Sequence, residues 1–402
     1  MKILLICNKA PWPPREGGPI AMNAMAEGLL AAGHQVKILA INSYKYNIPV
    51  ESIPEEYRDK TGIELVFMDL RVKPLAALKN IFTDRSYHVE RFISKDFSDA
   101  LERILKSGTY DIIQFETLFV TPYIDLIRRF TKAPVILRAH NIEHLIWQRL
   151  SKGEKNPFRR WYLKHLADTL MKYELDTIKK LDGIVTITDK DAEFFESYLE
   201  KQKVIAIPFG IQPEKMAKYT GYKGEEAEMS LFHLGSMNWI PNQEAIRWFL
   251  KEVWPTAYSQ HNNLMFRVAG REMPDWLATI SQAGVINDGD VPDAVEYMHK
   301  HRVMIVPLFS GSGIRIKIIE GMMAGCAIIT TSIGAEGINC KNGEHLLIAE
   351  TAGDFISCIN RLVEDPDFAK ELGRNASEFV KKEHNNSYLI KKLESFYNAL
   401  HR

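Results

Sequence analysis

Arg315, Lys317 and Glu320 follow two glycines, Gly311 and Gly313, within ten residues of chain. Those residue types at that spacing suit the binding of an anion joined to a polyol. Glycines let backbone amides approach a ligand closely, and a helix that follows adds unsatisfied N–H groups and the positive end of its dipole. The amides from Gly313 and Ile314 onward would form the cradle, with Arg315 and Lys317 as its cations. A Glu320 carboxylate accepts from ribose hydroxyls. At about 100° per residue, Ser312 and Glu320 lie roughly 80° apart and Lys317 about 60° beyond Glu320, so one ligand meets all three. A nucleoside diphosphate fits that description. An ordinary strand–turn–helix of an α/β domain gives the same pattern without a ligand, and it stands beside this reading.

The elements needed to position these residues are legible around them. Apolar runs over Val303 to Pro307 and Ala327 to Thr331 read as buried parallel strands that flank the turn and helix. The N-terminus opens in the same way. A strand over Lys2 to Cys7 leads through a proline-rich loop to Gly17 and Gly18. A helix from about Pro19 to Ala32, Gly33 as its C-cap and a strand over Val36 to Ile41 complete a βαβ unit. Gly17 and Gly18 lie after the first strand, where backbone approaches ligands at the C-terminal edge of a parallel sheet. Further strands are expected at Ile112 to Phe115, Val135 to Arg138, Gly183 to Thr188 and Val204 to Pro208.

One long helical stretch is expected from Ile142 to Lys180. A polar segment, Gln212 to Glu228, then reads as a linker. The second half restarts with a strand over Ser230 to Gly235, a helix from Asn242 to Trp254, and strands at Met265 to Ala269, Val303 to Val306, Ala327 to Thr330 and His345 to Ile348. Two successive βα series predict an α/β protein of two Rossmann-like domains facing a cleft, 1–208 and 209–384, with a final helix over 385–402.

The segment Pro307-Leu-Phe-Ser-Gly-Ser-Gly313, continued by Ile318-Ile-Glu-Gly-Met-Met-Ala-Gly325 and an apolar strand, resembles the donor-sugar motif of retaining glycosyltransferases of the GT-B fold, family 4 (group 1) type. The resemblance implies that Glu320 holds the donor ribose. It also implies that Ser312 occupies the place of a second glutamate, which the family carries eight residues earlier. The family's N-terminal glycine loop, here Gly17 and Gly18, faces the donor phosphates and the acceptor. A histidine after a strand contacts the donor sugar, a role that falls to His140 with Asn141 beside it. The loop Asp288 to Asp293 matches the segment beside the base, with Val291 offering backbone contacts. The final helix is expected to cross back to the first domain.

The family usually carries an arginine and a lysine after the first strand of the second domain. Gly235-Ser-Met-Asn-Trp-Ile-Pro-Asn242 has neither, so the diphosphate must be neutralised by Arg271, Arg315 or Lys317, with Ser236, Asn238 and Asn242 adding polar contacts. His140, Arg315 and Lys317 are therefore the expected catalytic set. Glu116, after the strand Ile112 to Phe115, is placed to touch an acceptor hydroxyl or to cap its own loop.

Other chemistries remain in view. His140-Asn-Ile-Glu143-His144 matches the H-x-x-E-H zinc-peptidase pattern, which requires both histidines one turn apart on one helix face. Here an apolar β-like run leads straight into His140. Between Ile142 and Lys180, Lys155, Arg159, Arg160, Lys164 and Lys172 interleave with aromatics. That stretch is either a solvated face covering a sheet or a basic-aromatic face toward a lipid-linked acceptor at a membrane.

Composition narrows the field. Lysine plus arginine equals aspartate plus glutamate at 51 each, so no global field favours nucleic acid. The longest apolar runs fall short of the roughly 18 residues of a membrane span, so membrane contact is expected to be peripheral. Four scattered cysteines, with Cys7 and Cys326 in apolar strands, fit a reducing cytoplasm or its membrane face. The expectation is a glycosyltransferase that takes a nucleotide-sugar donor and a glycan or lipid-linked acceptor, without metal or other cofactor. A nucleotide-sugar epimerase on the same fold and a nucleotide-sugar-binding subunit without catalysis are the alternatives.

Overall fold

The computed structural model describes residues 1–14, 17–73, 80–81, 83–212, 214, 217, 227–310 and 313–400. The chain divides into two compact units, Met1–Gly210 with Asn386–Arg402, and Ile211–Asn385. Most of the expected linker, and the site candidates Gly311 and Ser312, lie outside the described residues.

The first unit holds a seven-stranded sheet in the order β3-β2-β1-β4-β5-β6-β7. Its strands are β1 Lys2–Cys7, β2 Gln35–Asn42, β3 Glu64–Phe67, β4 Ile112–Phe115, β5 Val135–Ala139, β6 Gly183–Thr186 and β7 Val204–Ala206. Every pairing is parallel. β1 reads Lys-Ile-Leu-Leu-Ile-Cys because both its faces are covered, and Ile3, Leu4, Leu5, Ile6 and Cys7 are all buried. Reversal of strand order between β1 and β4 opens the switch point where such sheets place their ligands.

Helix Asn386–Leu400 belongs to this unit. Leu389, Ile390, Leu393, Phe396 and Tyr397 lie in one core with β1, β2 and helix Gly17–Ala31. Gly28 permits the approach, since a Cβ there would stand 2.5 Å from Asn386 Nδ2 and 2.8 Å from Ile390 Cγ1.

The second unit repeats the plan with six strands, β8 Glu228–Leu234, β9 Phe266–Ala269, β10 Val285–Gly289, β11 His301–Val306, β12 Ala327–Thr330 and β13 Leu347–Ile348. Their order is β10-β9-β8-β11-β12-β13, again with parallel pairings. The switch point here lies between β8 and β11.

Three expectations need correction. The long helix expected from Ile142 to Lys180 is two, Glu143–Gly153 and Pro157–Ile178, because Pro157 starts the second and Asn156 Oδ1 accepts from Phe158 N and Arg159 N as its cap. β10 was not expected, since its half-buried, polar end disguises the strand. Asp288, expected to open the loop beside the base, instead lies in β10, accepting from Arg267 Nη1 at 2.8 Å and from Tyr297 Oη at 2.7 Å. The helix expected over Asn242 to Trp254 starts earlier, at Ile240, and passes through a wider π-type turn, Phe249–Val253, into helix Trp254–Gln260.

Candidate active site

In the second unit the polar residues gather at the C-terminal ends of β8 and β11. Lys317 extends from the first turn of helix Ile316–Met323. Its Nζ donates to Asn242 Oδ1 at 2.7 Å and lies 3.2 Å from His233 Nε2. Asn242 is oriented because its Nδ2 donates to Ser236 O at 2.8 Å. His233 is buried inside β8, and its Nδ1 lies 2.8 Å from the Ile305 carbonyl. A carbonyl only accepts, so Nδ1 carries the ring proton and Nε2 receives the bond from Lys317. Burial first, then the Lys317 charge, holds His233 well below the usual histidine range, so it is neutral.

Among the described residues no carboxylate pairs with Lys317, whose partners are the neutral Asn242 and His233. Burial, then the neighbouring Arg315 guanidinium, lowers its pKa to about 7. A lysine held this way is poised for an incoming anion, which would favour its charged form. Gly235 makes room, because a Cβ there would stand 2.9 Å from Asn242 Nδ2 and 3.0 Å from Lys317 Nζ.

The other candidates of this unit fall into two groups. Gly313, with φ +76°, Ile314, Arg315 and Glu320 surround the start of the same helix. Arg315 is buried, donates to the Gly313 carbonyl and stands 5.6 Å from the Trp239 ring centre, so it braces the loop while adding charge. Glu320 is half-buried one turn beyond Lys317. Ser236, Asn238, Arg271 and Val291 lie after β8, β9 and β10. Ser236 Oγ donates to Asn238 Oδ1 at 3.1 Å, and Asn238 Nδ2 donates to Glu272 Oε1 at 3.0 Å. Arg271 is exposed, with its carbonyl accepting from Met237 N at 2.9 Å.

In the first unit, Glu116 sits at the end of β4 and is wholly buried. It accepts from Gln114 Nε2 at 2.6 Å and from Arg138 Nη1 at 3.0 Å, and its Oε2 lies 3.1 Å from His140 Nε2. Burial opposes its charge, but Arg138, then His140 and Gln114, outweigh burial and hold the carboxyl below the usual range. Burial likewise lowers the His140 pKa against the pull of Glu116. A neutral ring beside an ionised carboxylate must donate from Nε2, which leaves His140 Nδ1 as an acceptor for a hydroxyl.

Lys9 and the start of helix Gly17–Ala31 complete the group. A Cβ on Gly18 would stand 3.3 Å from Lys9 Cε, and the Lys9 charge also depresses His140. Asn141 hydrogen-bonds Glu143, whose carboxyl burial, then Glu174, raises to about 8.

The zinc pattern does not assemble. His140 ends β5, whereas His144 lies inside helix Glu143–Gly153 with its Nδ1 2.6 Å from Glu174 Oε2. Glu174 also accepts from Glu143 N at 3.1 Å and His144 N at 3.2 Å, which makes it the cap of that helix. Among the described residues no group of three His, Cys, Asp or Glu could hold a metal ion.

Sequence reasoning missed His233, Arg138, Gln114 and Lys9. A histidine inside the apolar run Leu231-Phe-His-Leu234 and an arginine inside Val135-Ile-Leu-Arg-Ala139 were the available signals, because a buried polar side chain needs a partner.

Comparison with known proteins bears on the family and the fold. The family described as glycosyl transferases group 1 matches residues 228–365, and glycosyltransferase family 4 matches residues 17–215. An uncharacterized 44.6 kDa protein in the cps region of Klebsiella pneumoniae is 20% identical over 388 residues, spanning 94% of this chain and 95% of its own. Among solved structures, Anabaena HepE in complex with UDP superposes with TM-score 0.66 at 11% identity, covering 99% of this chain and 100% of its own. A sucrose-phosphate synthase from Thermosynechococcus elongatus gives TM-score 0.68 at 16% identity, covering 100% and 99%. A glycosyltransferase from Rickettsia africae gives 0.62 at 15%, covering 100% and 98%. With both of its sheets in Rossmann order and the two family matches together taking in most of its length, the chain belongs to the group 1, family 4 glycosyltransferases of the GT-B fold.

Proposed function

We propose that this glycosyltransferase moves a sugar from a nucleoside diphosphate to a hydroxyl of a glycan or lipid-linked acceptor, with retained anomeric configuration and without a metal ion. The observation that carries the proposal is Lys317, held by Asn242 and His233 beside the first turn of a helix at the β8–β11 switch point. A diphosphate laid there meets backbone amides, the helix dipole and one ammonium group, and Arg315 adds a second positive charge. These groups stabilise charge as it develops on the leaving diphosphate, and their positions are fixed beforehand. Glu320 accepts from the ribose hydroxyls.

His140 is assigned to the sugar side. Its Nδ1 accepts from a hydroxyl while Glu116 fixes the ring. Glu116 spends its oxygens on Gln114, Arg138 and His140, so we assign it a positioning role and no attack on the sugar. With no carboxylate nucleophile assigned, the acceptor proton passes to the donor phosphate as the new glycosidic bond forms on the face the diphosphate leaves. HepE has been crystallised with UDP and with UDP-glucose, and the Klebsiella relative lies in a cps region, which supports a nucleotide-sugar donor and a polysaccharide or glycolipid product.

Turnover tests the proposal. Purified protein is incubated with UDP-, GDP- or dTDP-sugars, a chelator and cell-envelope acceptors, and the product anomer is read by NMR. Acceptor-dependent release of one nucleoside diphosphate with a retained anomer is expected. Acceptor-independent release of free sugar would instead indicate the epimerase reading, and donor binding without any turnover the non-catalytic subunit.

A further inference from the structure

The helical hairpin Glu143–Gly153 and Pro157–Ile178 carries a surface that the transferase chemistry does not use. Helix Pro157–Ile178 buries Leu166, Ala167 and Leu170 but no residue of its first two turns. Apolar side chains nonetheless crowd that tip. Phe158 is 83% exposed, the highest value among the exposed large apolar residues, with Trp161 at 57% and Leu150 at 51%. Phe158, Trp161 and His165 recur at helical spacing, and Trp161 stacks on His165 with ring centres 6.3 Å apart. A solvated face covering a sheet would turn its aromatics inward. This one turns them outward.

The charge around them is one-sided. Between Arg149 and Lys164 the chain has six basic residues and one acidic residue, although its total charges balance. Lys164 pairs with Asp168 at 2.6 Å and Arg160 Nε donates to the Glu154 carbonyl at 2.8 Å, and Lys152, Lys155, Arg159, Arg160 and Lys164 are all exposed. Aromatic and aliphatic side chains ringed by lysine and arginine match a bilayer that presents anionic headgroups above its acyl boundary. No described helix is long and apolar enough to cross a membrane.

We propose that the tip of this hairpin, Leu150, Phe158 and Trp161 within the collar Lys152, Lys155, Arg159 and Arg160, docks the protein on an anionic lipid surface. Phe158 and Trp161 enter the interface, and the collar reads the headgroup charge. This inference stands on the surface alone and would survive failure of the donor-site reading.

The full chain is sedimented with vesicles of phosphatidylcholine, and with vesicles of about three parts phosphatidylcholine to one part phosphatidylglycerol. Binding to the anionic vesicles only is expected, and it should weaken as salt rises. Arg159→Glu with Arg160→Glu should weaken it at least about 25-fold, from roughly fivefold per basic residue. Phe158→Ser with Trp161→Ser should abolish it. Both double variants should keep the wild-type unfolding temperature and oligomeric state, because the side chains are exposed. Absence of binding to either vesicle, equal binding to both, or unaltered binding by folded variants would overturn the proposal. So would a dimer that dissociates in Phe158→Ser/Trp161→Ser, since the surface would then cover a second copy.

Discussion

Lys317 Nζ donates to Asn242 Oδ1 over 2.7 Å, a bond between the helix after β11 and the helix after β8. It joins the two sides of the switch point through one ammonium group whose closest partners, Asn242 and His233, are both neutral.

A pH dependence follows. Burial and Arg315 hold Lys317 near pKa 7, and a bound diphosphate raises it. Nucleotide affinity should therefore be flat below about pH 7 and fall by up to about tenfold per pH unit above it. Lys317→Arg, which stays charged, should remove that fall. Without ligand the sign is opposite for folding: the unfolded chain holds the extra proton between the two lysine pKa values, so this residue's contribution to stability rises from about pH 7 toward 10. Calorimetric titration across pH, wild type against variant, checks the first statement, and denaturant melts check the second.

Gly235 and Gly270 should separate binding from folding. Gly235→Ala presses on the ends of the Asn242 and Lys317 side chains and makes an ordinary contact, at 3.4 Å, with His233 Nε2, so stability should drop by under about 1 kcal/mol while nucleotide affinity falls roughly tenfold. At Gly270, φ is +145° and a Cβ would stand 1.8 Å from the Gly235 carbonyl oxygen, so Gly270→Ala should cost more than about 2 kcal/mol. Paired thermal and binding measurements decide both.

His140→Ala should lower kcat at least about tenfold with the nucleotide dissociation constant unchanged, because His140 is assigned to the sugar and its hydroxyls. Glu116→Gln should cost about 3–5 kcal/mol of stability, since it leaves the buried Arg138 charge without its counter-ion. Acidification should act in the same direction through both residues. Glu116 is held below the usual carboxylate range, so its contribution is present above about pH 4.5 and lost below it. His140 is also held low, so the unfolded chain protonates first and stability falls as pH drops beneath about 6.5. Urea unfolding measured from about pH 7 down through about pH 4.5 and below follows both slopes.

Deleting residues 386–402 should unfold the first unit. Leu389, Ile390, Leu393, Phe396 and Tyr397 are buried against it, and each is worth about 1.5–3 kcal/mol. Tyr397→Phe removes only the bond to Gln114 and should cost about 1 kcal/mol. Loss of cooperative unfolding in the truncated chain, followed by circular dichroism, is the expected result.

Most of the fold was legible because parallel strands buried on both faces appear as unbroken apolar runs, as at Lys2–Cys7 and Ala327–Thr330. β10 escaped because Asn287, Asp288 and Gly289 look like a turn, although Asp288 bonds to Arg267 and Tyr297. Lys317 was legible through its glycine-led helix, but its neighbours were not. The partner of His233 lies 84 residues away and that of Asn242 lies 75 away, and no local spacing connects them. Arg138 and Glu116 were hidden in the same way, since one strand's interior arginine has its counter-ion at the end of the next strand.

Isothermal titration of UDP, GDP and dTDP into wild type and Lys317→Ala, with chelator present, tests the donor site most directly. One nucleotide should bind the wild type and bind Lys317→Ala between about tenfold and a hundredfold more weakly, the worth of a charge-assisted bond. Equal affinity for wild type and a folded Lys317→Ala protein, or no binding of any of the three nucleotides, would contradict a diphosphate site at Lys317.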